Sequence, residues 1–201
     1  MRKYIVYSLL AVIVIAIIVA ISLVYLNKLS QRPLLPPSLK QIVKGAACTL
    51  VVRSTYSNWS TIPRDYTCLG PNVSPPIEIS NIPEGTKCLT IIMYDPDAPR
   101  GIFYHWLLYD IATKNSSRIY IPPAIPPEAY TSIGMQGIND FGKIGYGGPC
   151  PPPGEGHRYV LLVLALKNCL NLGPGASPVD VLKALEGKVL SYGILVGIFK
   201  R

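Results

Sequence analysis

The sequence predicts a mostly β domain carried behind an apolar N-terminal span, and three observations lead there. The run from Tyr4 to Leu26 contains no charged residue. From Cys48 onward, short stretches rich in β-branched and aromatic residues alternate with Pro/Gly-rich turns. Only the stretch after Ser177 reads as a helix: a capping Ser, Pro178 in the first turn, Asp180 three residues on, and apolar positions at Val181, Leu182 and Leu185.

The N-terminal run comes first. At about 1.5 Å per residue it reaches roughly 34 Å, enough for a bilayer core of about 30 Å. It is too long for the apolar core of a cleavable signal, and Ala20-Ile21-Ser22 is a poor cleavage site. Residues 1–27 are therefore expected to form a single-pass transmembrane anchor. Arg2 and Lys3 before the run favour a cytoplasmic N-terminus, with the domain outside the cytoplasm. Residues 28–47 read as a linker, stiffened by Pro33, Pro36 and Pro37 and solvated by Lys28, Arg32, Lys40 and Lys44. The domain proper is expected to occupy residues 48–201.

Within it, strands are predicted over 49–55, within 61–66, and over 77–79, 87–94, 103–111, 158–166 and 192–199. On the fifth of these, strict alternation places Phe103, His105, Leu107, Tyr109 and Ile111 on one face. Tyr104, Trp106, Leu108 and Asp110 take the other. Residues 112–150 read as a long loop, with four prolines between 122 and 127 and six glycines between 134 and 148. A loop of that length usually shapes a site or wraps an edge.

Charge and cysteine content narrow the function classes. The net charge of +8 shrinks once the residues flanking the anchor are set aside, and the remaining basic residues are scattered singly. Nucleic acid is therefore not an expected partner. Five cysteines lack any Cys-x-x-Cys spacing, which argues against a zinc knuckle or thioredoxin-like chemistry. One or two disulfides are compatible with an external domain, and their pairing stays open. Asn58, Asn72 and Asn115 begin Asn-x-Ser sequons, which permit an external location.

Two turns collect the chemistry. Asp95-Pro96-Asp97-Ala98-Pro99 places two carboxylates in a rigid bend at the mouth of a strand, ten residues before His105. Gly145-Tyr146-Gly147-Gly148-Pro149-Cys150-Pro151-Pro152-Pro153-Gly154 precedes the second histidine, His157, which shares a strand face with Tyr159. Taken singly, each is more often structural. Asp-Pro-Asp is commonly a self-capped turn, a lone histidine a satisfied core residue, and Tyr159 a core aromatic.

Together these segments carry a resemblance. Cys68-x-Gly70, Ser74-Pro75-Pro76, Asp95-Pro96-Asp97-Ala98-Pro99, His105-Trp106, Gly148-Pro149-Cys150-Pro151-Pro152 and His157-Arg158-Tyr159 occur in the order of the phosphatidylethanolamine-binding proteins, also called the Raf kinase inhibitor protein family. The His-Trp pair and the Gly-Pro-Cys-Pro-Pro turn look like its bacterial and archaeal branch. The resemblance, from about Tyr66 to Arg201, implies a large antiparallel sheet, a smaller second sheet and a C-terminal helix. It also implies a small anion pocket built from Asp95, Asp97, His105, Gly148, Pro149, Cys150, Pro151, His157 and Tyr159. The partner implied is a phosphate-bearing small molecule or lipid head group, with no cofactor, no bound metal and no catalytic residue. Inhibition of a protease or kinase through the 113–145 loop, and metal-dependent phosphoester hydrolysis by Asp95, Asp97, His105 and His157, are the alternatives. Neither a His-Glu-x-x-His, a Walker nor a Gly-x-Ser-x-Gly signature supports an enzyme. Two carboxylates beside an anion pose a puzzle. The expected answer is that they orient the histidines while the Gly147-Gly148 amides donate to the ligand. Departures from the family pattern are Ile79 for Trp, Ala112 for Pro and Leu69 for an acid.

Overall fold

Strand Cys88–Asp95 (β4) is buried along its whole length, as an apolar run with no polar alternation requires. It lies between Phe103–Ala112 (β5) and His157–Leu166 (β8), antiparallel to both. Beyond β8 runs Val189–Phe199 (β9), and at the edges lie Ser60–Thr61 (β2) and Met135–Gln136 (β7). The six-stranded order is β2-β9-β8-β4-β5-β7, with all pairs antiparallel except β2 with β9. A second sheet joins Val51–Arg53 (β1), Ile77–Ser80 (β3) and Arg118–Ile121 (β6) in the order β1-β3-β6. This computed structural model describes Tyr7, residues 14–21 and residues 33–201.

Two apolar layers hold the sheets. Between them pack Val52, Ile77, Ile79 and Ile121 of the small sheet against Met93, Trp106, Leu161 and Val163 of the large one. The large sheet's other face, with Ile92, Leu107, Leu162 and Leu164, is covered by two helices. Pro37–Ile42 (α1) contributes Leu39 and Ile42, and Pro178–Leu185 (α2) contributes Val181 and Leu185. Helix α2 starts as predicted. The Ser177 hydroxyl accepts from the Asp180 amide, the Asp180 carboxylate accepts from Ser177, and Gly187 beyond the end has φ +67°.

The chain divides into two compact units, Met1–Pro33 and Leu34–Arg201. The transmembrane expectation is corrected here. Among the described residues no helix is long and apolar enough to cross a membrane. Residues 14–21 are helical. The rest of the predicted 1–27 anchor, apart from Tyr7, lies outside the described residues, as do residues 28–32. A single-pass membrane location with an external domain is accordingly not supported. Much of the expected linker is structured: Leu39 is fully buried, the Tyr94 hydroxyl donates to the Leu34 carbonyl, and Ala47 bridges to Ser191.

Two further differences have clear causes. The 112–150 loop contains β6 and β7, which its proline content obscured. Gln136, fully buried, pins this segment by accepting from Trp106 Nε1 at 2.7 Å and donating to the Pro126 and Glu128 carbonyls. On β5 the strict alternation fails twice, because register shifts fall at His105 and around Tyr109-Asp110. Tyr104, Leu107 and Tyr109 face the helices, whereas Trp106, Leu108 and Ile111 face the small sheet. A bulge inserts one unpaired residue and flips the faces beyond it.

Candidate functional site

The bulge at His105 is where the site begins. His105 is an extra residue between the Tyr94–Tyr104 and Met93–Trp106 pairs, and its ring turns toward Tyr159 on β8, centroid to centroid 5.2 Å. Its Nδ1 lies 2.6 Å from the Gly147 carbonyl. A carbonyl only accepts, so Nδ1 carries the proton and the neutral ring keeps an acceptor at Nε2. Burial pushes the His105 pKa down, outweighing the Gly147 bond and the Asp95 charge, so the ring is neutral near pH 7.

Asp95 closes β4, and prolines bend the chain immediately after it. One Asp95 oxygen accepts from the Asp97 amide at 2.7 Å, and the other faces His157 Nδ1 at 2.7 Å. The turn is thus self-capped, and the same carboxylate orients His157. Asp97 turns instead to Arg158. One oxygen accepts from the Arg158 amide (2.9 Å) and Nε (2.8 Å), the other from a terminal guanidinium nitrogen at 2.6 Å. Burial raises the Asp97 pKa, but the Arg158 hydrogen bonds and charge prevail and hold it below the usual carboxylate range. The two acids lie two residues apart in one turn, and their partners His157 and Arg158 are adjacent on one strand.

Tyr159 points from β8 into the same region. Its hydroxyl is buried within close electrostatic reach of the Asp95 carboxylate and the Cys150 amide, but no partner stands in good hydrogen-bond geometry to it. Burial, then the Asp95 charge, drives its pKa far up, so it is a neutral O–H at any physiological pH.

The second turn is clamped from outside by residues 66–72. The Tyr146 hydroxyl donates to the Tyr66 carbonyl at 2.6 Å, the Cys68 amide to the Pro149 carbonyl at 3.1 Å, and Cys68 forms a disulfide with Cys150. The expected amide donors are spent here: the Gly147 amide donates to the His105 carbonyl (2.9 Å) and the Gly148 amide to Asn72 Oδ1 (2.8 Å). Position 148 admits only glycine, since a Cβ there would lie 2.4 Å from the Tyr66 carbonyl oxygen and from Asn72 Oδ1. Pro149 and Pro151 are buried within the turn. A guanidinium nitrogen of Arg201 reaches Cys150 Sγ at 3.6 Å.

All nine residues singled out in the sequence therefore lie on the two turns, the β5 bulge or the start of β8. Their partners differ from expectation. The carboxylates orient His157 and Arg158 and not His105, and the Gly147-Gly148 amides tether the turn. Arg158 and Asn72 were missed as working parts. Arg158 was readable as the one cation beside His157 facing an Asp pair; Asn72 carried no signal beyond its sequon. Ile79 lies in the inter-sheet core. Cys88 and Cys169 form a second disulfide and Cys48 is a free, exposed thiol. Among the described residues, Cys88, Asp110 and Cys169 are the one trio of His, Cys or acidic side chains close enough to share an ion. Both thiols of that trio are already spent in the disulfide.

Comparison with known proteins agrees with this architecture. The sequence model described as phosphatidylethanolamine-binding protein matches residues 53–200. A UPF0098 protein of Aquifex aeolicus is 44% identical over 166 residues, covering 82% of this chain and 95% of that protein. A UPF0098 protein of Pyrococcus horikoshii is 40% identical over 187 residues, covering 83% and 92%. Among solved structures, a putative phosphatidylethanolamine-binding protein homologue from Chlamydia trachomatis superposes with a TM-score of 0.66 at 30% identity, covering 76% of this chain and 97% of its own. E. coli YbcL, described as a new member of the mammalian family, gives 0.67 at 27% identity over 76% and 98%. The chain belongs to the phosphatidylethanolamine-binding protein family.

Proposed function

We propose that the site between the two turns binds a small phosphate-bearing anion, and that the domain acts by recognition and not by turnover. The observation that carries this reading is the Tyr159 hydroxyl, a buried donor with no partner. Leaving such a group unsatisfied costs about 1–3 kcal/mol, which an anionic oxygen accepting from it recovers. His157, oriented by Asp95, supplies a second contact from the same strand. Membership of a family named for a phospholipid supports the choice of phosphate, which a head group and a free phosphate ester share. The carboxylates do not oppose it. Asp97 is neutralised by Arg158, and both Asp95 oxygens already accept hydrogen bonds.

Calorimetric titration of the full chain with inorganic phosphate tests the reading. Tyr159→Phe removes the hydroxyl and keeps the ring; it is expected to weaken binding about ten-fold, the loss of one charge-assisted hydrogen bond. His157→Ala is expected to weaken it at least as much. Phosphate binding indifferent to both changes refutes the site. Hydrolysis of a phosphoester that disappears with His157→Ala replaces recognition with catalysis.

A further inference from the structure

The wall of the proposed site continues beyond His105 into Phe141, and that ring bears on which phosphates the site accepts. Phe141 is 45% exposed although the chain has invested a rigid turn in placing it. Asn139, 2% exposed, accepts the Phe141 amide at 3.0 Å and the Lys143 amide at 3.2 Å on one oxygen. Its Nδ2 donates to the Gly145 carbonyl at 2.9 Å. Asp140 locks the turn to β5: its amide donates to the Tyr104 carbonyl and its carboxylate accepts from the Tyr104 amide at 2.7 Å. The ring then packs edge-on against Phe103 (4.7 Å between centroids) and His105 (5.4 Å). Position 147 must be glycine for this, since a Cβ there would meet Phe141 Cδ2 at 2.6 Å.

Single exposed apolar side chains are ordinary on protein surfaces and call for no special role. Phe141 differs in three respects. Its turn is fixed by a buried asparagine, its inner edge contacts the histidine of the site, and its outer face is left to solvent. Phe141, His105 and Tyr159 form a continuous series of ring contacts, and the last of them carries the buried hydroxyl. A phosphate accepting from Tyr159 would have these rings beside it.

We infer that Phe141 is a specificity-determining residue and that the site takes phosphate monoesters whose alcohol part is flat and apolar, in preference to inorganic phosphate or a small polar ester. This rests on the phosphate-binding reading above. An aromatic contact of this kind is worth about 0.5–1.5 kcal/mol, or roughly two- to ten-fold in affinity.

The experiment titrates the full chain with inorganic phosphate, methyl phosphate and phenyl phosphate. Methyl and phenyl phosphate carry the same ester charge, so their affinity ratio isolates the ring. Phenyl phosphate is expected to bind roughly five-fold more tightly than methyl phosphate, and both Phe141→Ala and Phe141→Leu to bring that ratio towards one. Phe141→Leu keeps apolar bulk in the turn, so it reports on the ring should the alanine variant fold poorly. If phosphate binds but the two esters bind alike, or the ratio survives in Phe141→Leu, this inference falls and the site reading stands. If neither inorganic phosphate nor either ester binds, the site reading itself is overturned.

Discussion

Removing the Cys68–Cys150 disulfide tests both the stability of the domain and the construction of its site. The two bridges have nearly equal sequence separations, 82 and 81 residues, and they interlock. With one bridge intact, the ring closed by the other runs from 68 to 88, crosses the remaining bridge, and returns from 169 to 150. That ring holds roughly 40 residues whichever bridge is cut, and its closure entropy corresponds to about 4 kcal/mol at 25 °C. Cys68→Ser/Cys150→Ser and Cys88→Ser/Cys169→Ser should thus lose similar stability. For a domain of this size that lowers Tm by about 8–16 °C. Function should separate them. Cys150 belongs to the turn whose amides anchor on His105 and Asn72, whereas Cys88 and Cys169 sit at the far ends of β4 and the β8–α2 connection. Thermal melts of the oxidised full chain measure the first effect, and phosphate titration below either Tm measures the second. Equal loss of phosphate binding in both variants would refute the view that this bridge preorganises the site. A stability loss under about 1 kcal/mol for either would refute the ring argument.

Three other perturbations follow from the geometry. Asp97→Asn breaks a pair whose side chains are 14–16% exposed and should cost about 2 kcal/mol at pH 7. Because the folded Asp97 pKa is depressed, that contribution is complete above the unfolded aspartate range and is lost as pH falls through the folded value. Denaturant melts from pH 7 to pH 2 should show wild type and variant converging, and a gap that stays constant with pH would contradict the assignment. His105, whose folded pKa is likewise lowered, here by burial, follows the same sign. Its share of stability is full above about pH 6.5 and declines below it, as the unfolded chain takes up the proton first. Nitrogen NMR of the ring should find it neutral at pH 7 with the proton on Nδ1; an imidazolium there would be decisive against it. Gly148→Ala forces its Cβ against the backbone of Tyr66 and should cost about 1–3 kcal/mol while weakening phosphate binding. A fully stable Gly148→Ala protein would mean the 66–72 clamp is looser than described.

The legible parts of the chain were those where a period or a cap acts locally. Strand β8 showed itself because both its faces are apolar, and α2 because Ser177, Pro178 and Asp180 act within one turn. The β5 faces were misassigned because a bulge is set by the partner strand's register, which no alternation in β5 itself encodes. Leu39 and Ile42 were hidden in a proline-rich stretch whose burial depends on a surface formed more than 100 residues later by α2 and β8. For the candidate site, residue types and order sufficed to name side chains that the fold brings close together. What they could not supply was which oxygen meets which nitrogen. The Asp97–Arg158 pair and the Asn72–Gly148 bond are long-range contacts decided by the three-dimensional path of the turns.

That path also resolves the puzzle of carboxylates lining a proposed anion site. Asp95 and Asp97 are two residues apart in one bend, and His157 and Arg158 are adjacent at the start of one strand, so each acid meets its own nitrogen partner as β8 leaves the loop. A repulsive carboxylate pair becomes one ion pair, Asp97 with Arg158, and one hydrogen-bonded couple, Asp95 with His157. Their geometry fixes the first residues of β8, and Tyr159 follows on the next position with its hydroxyl aimed at the shared region. An acid–base dyad needs one carboxyl whose proton is exchangeable near neutral pH. Asp97 is held in the opposite direction by Arg158. The pair's contribution is positional: it sets where β8 begins, and through that where the one unsatisfied donor of the site points.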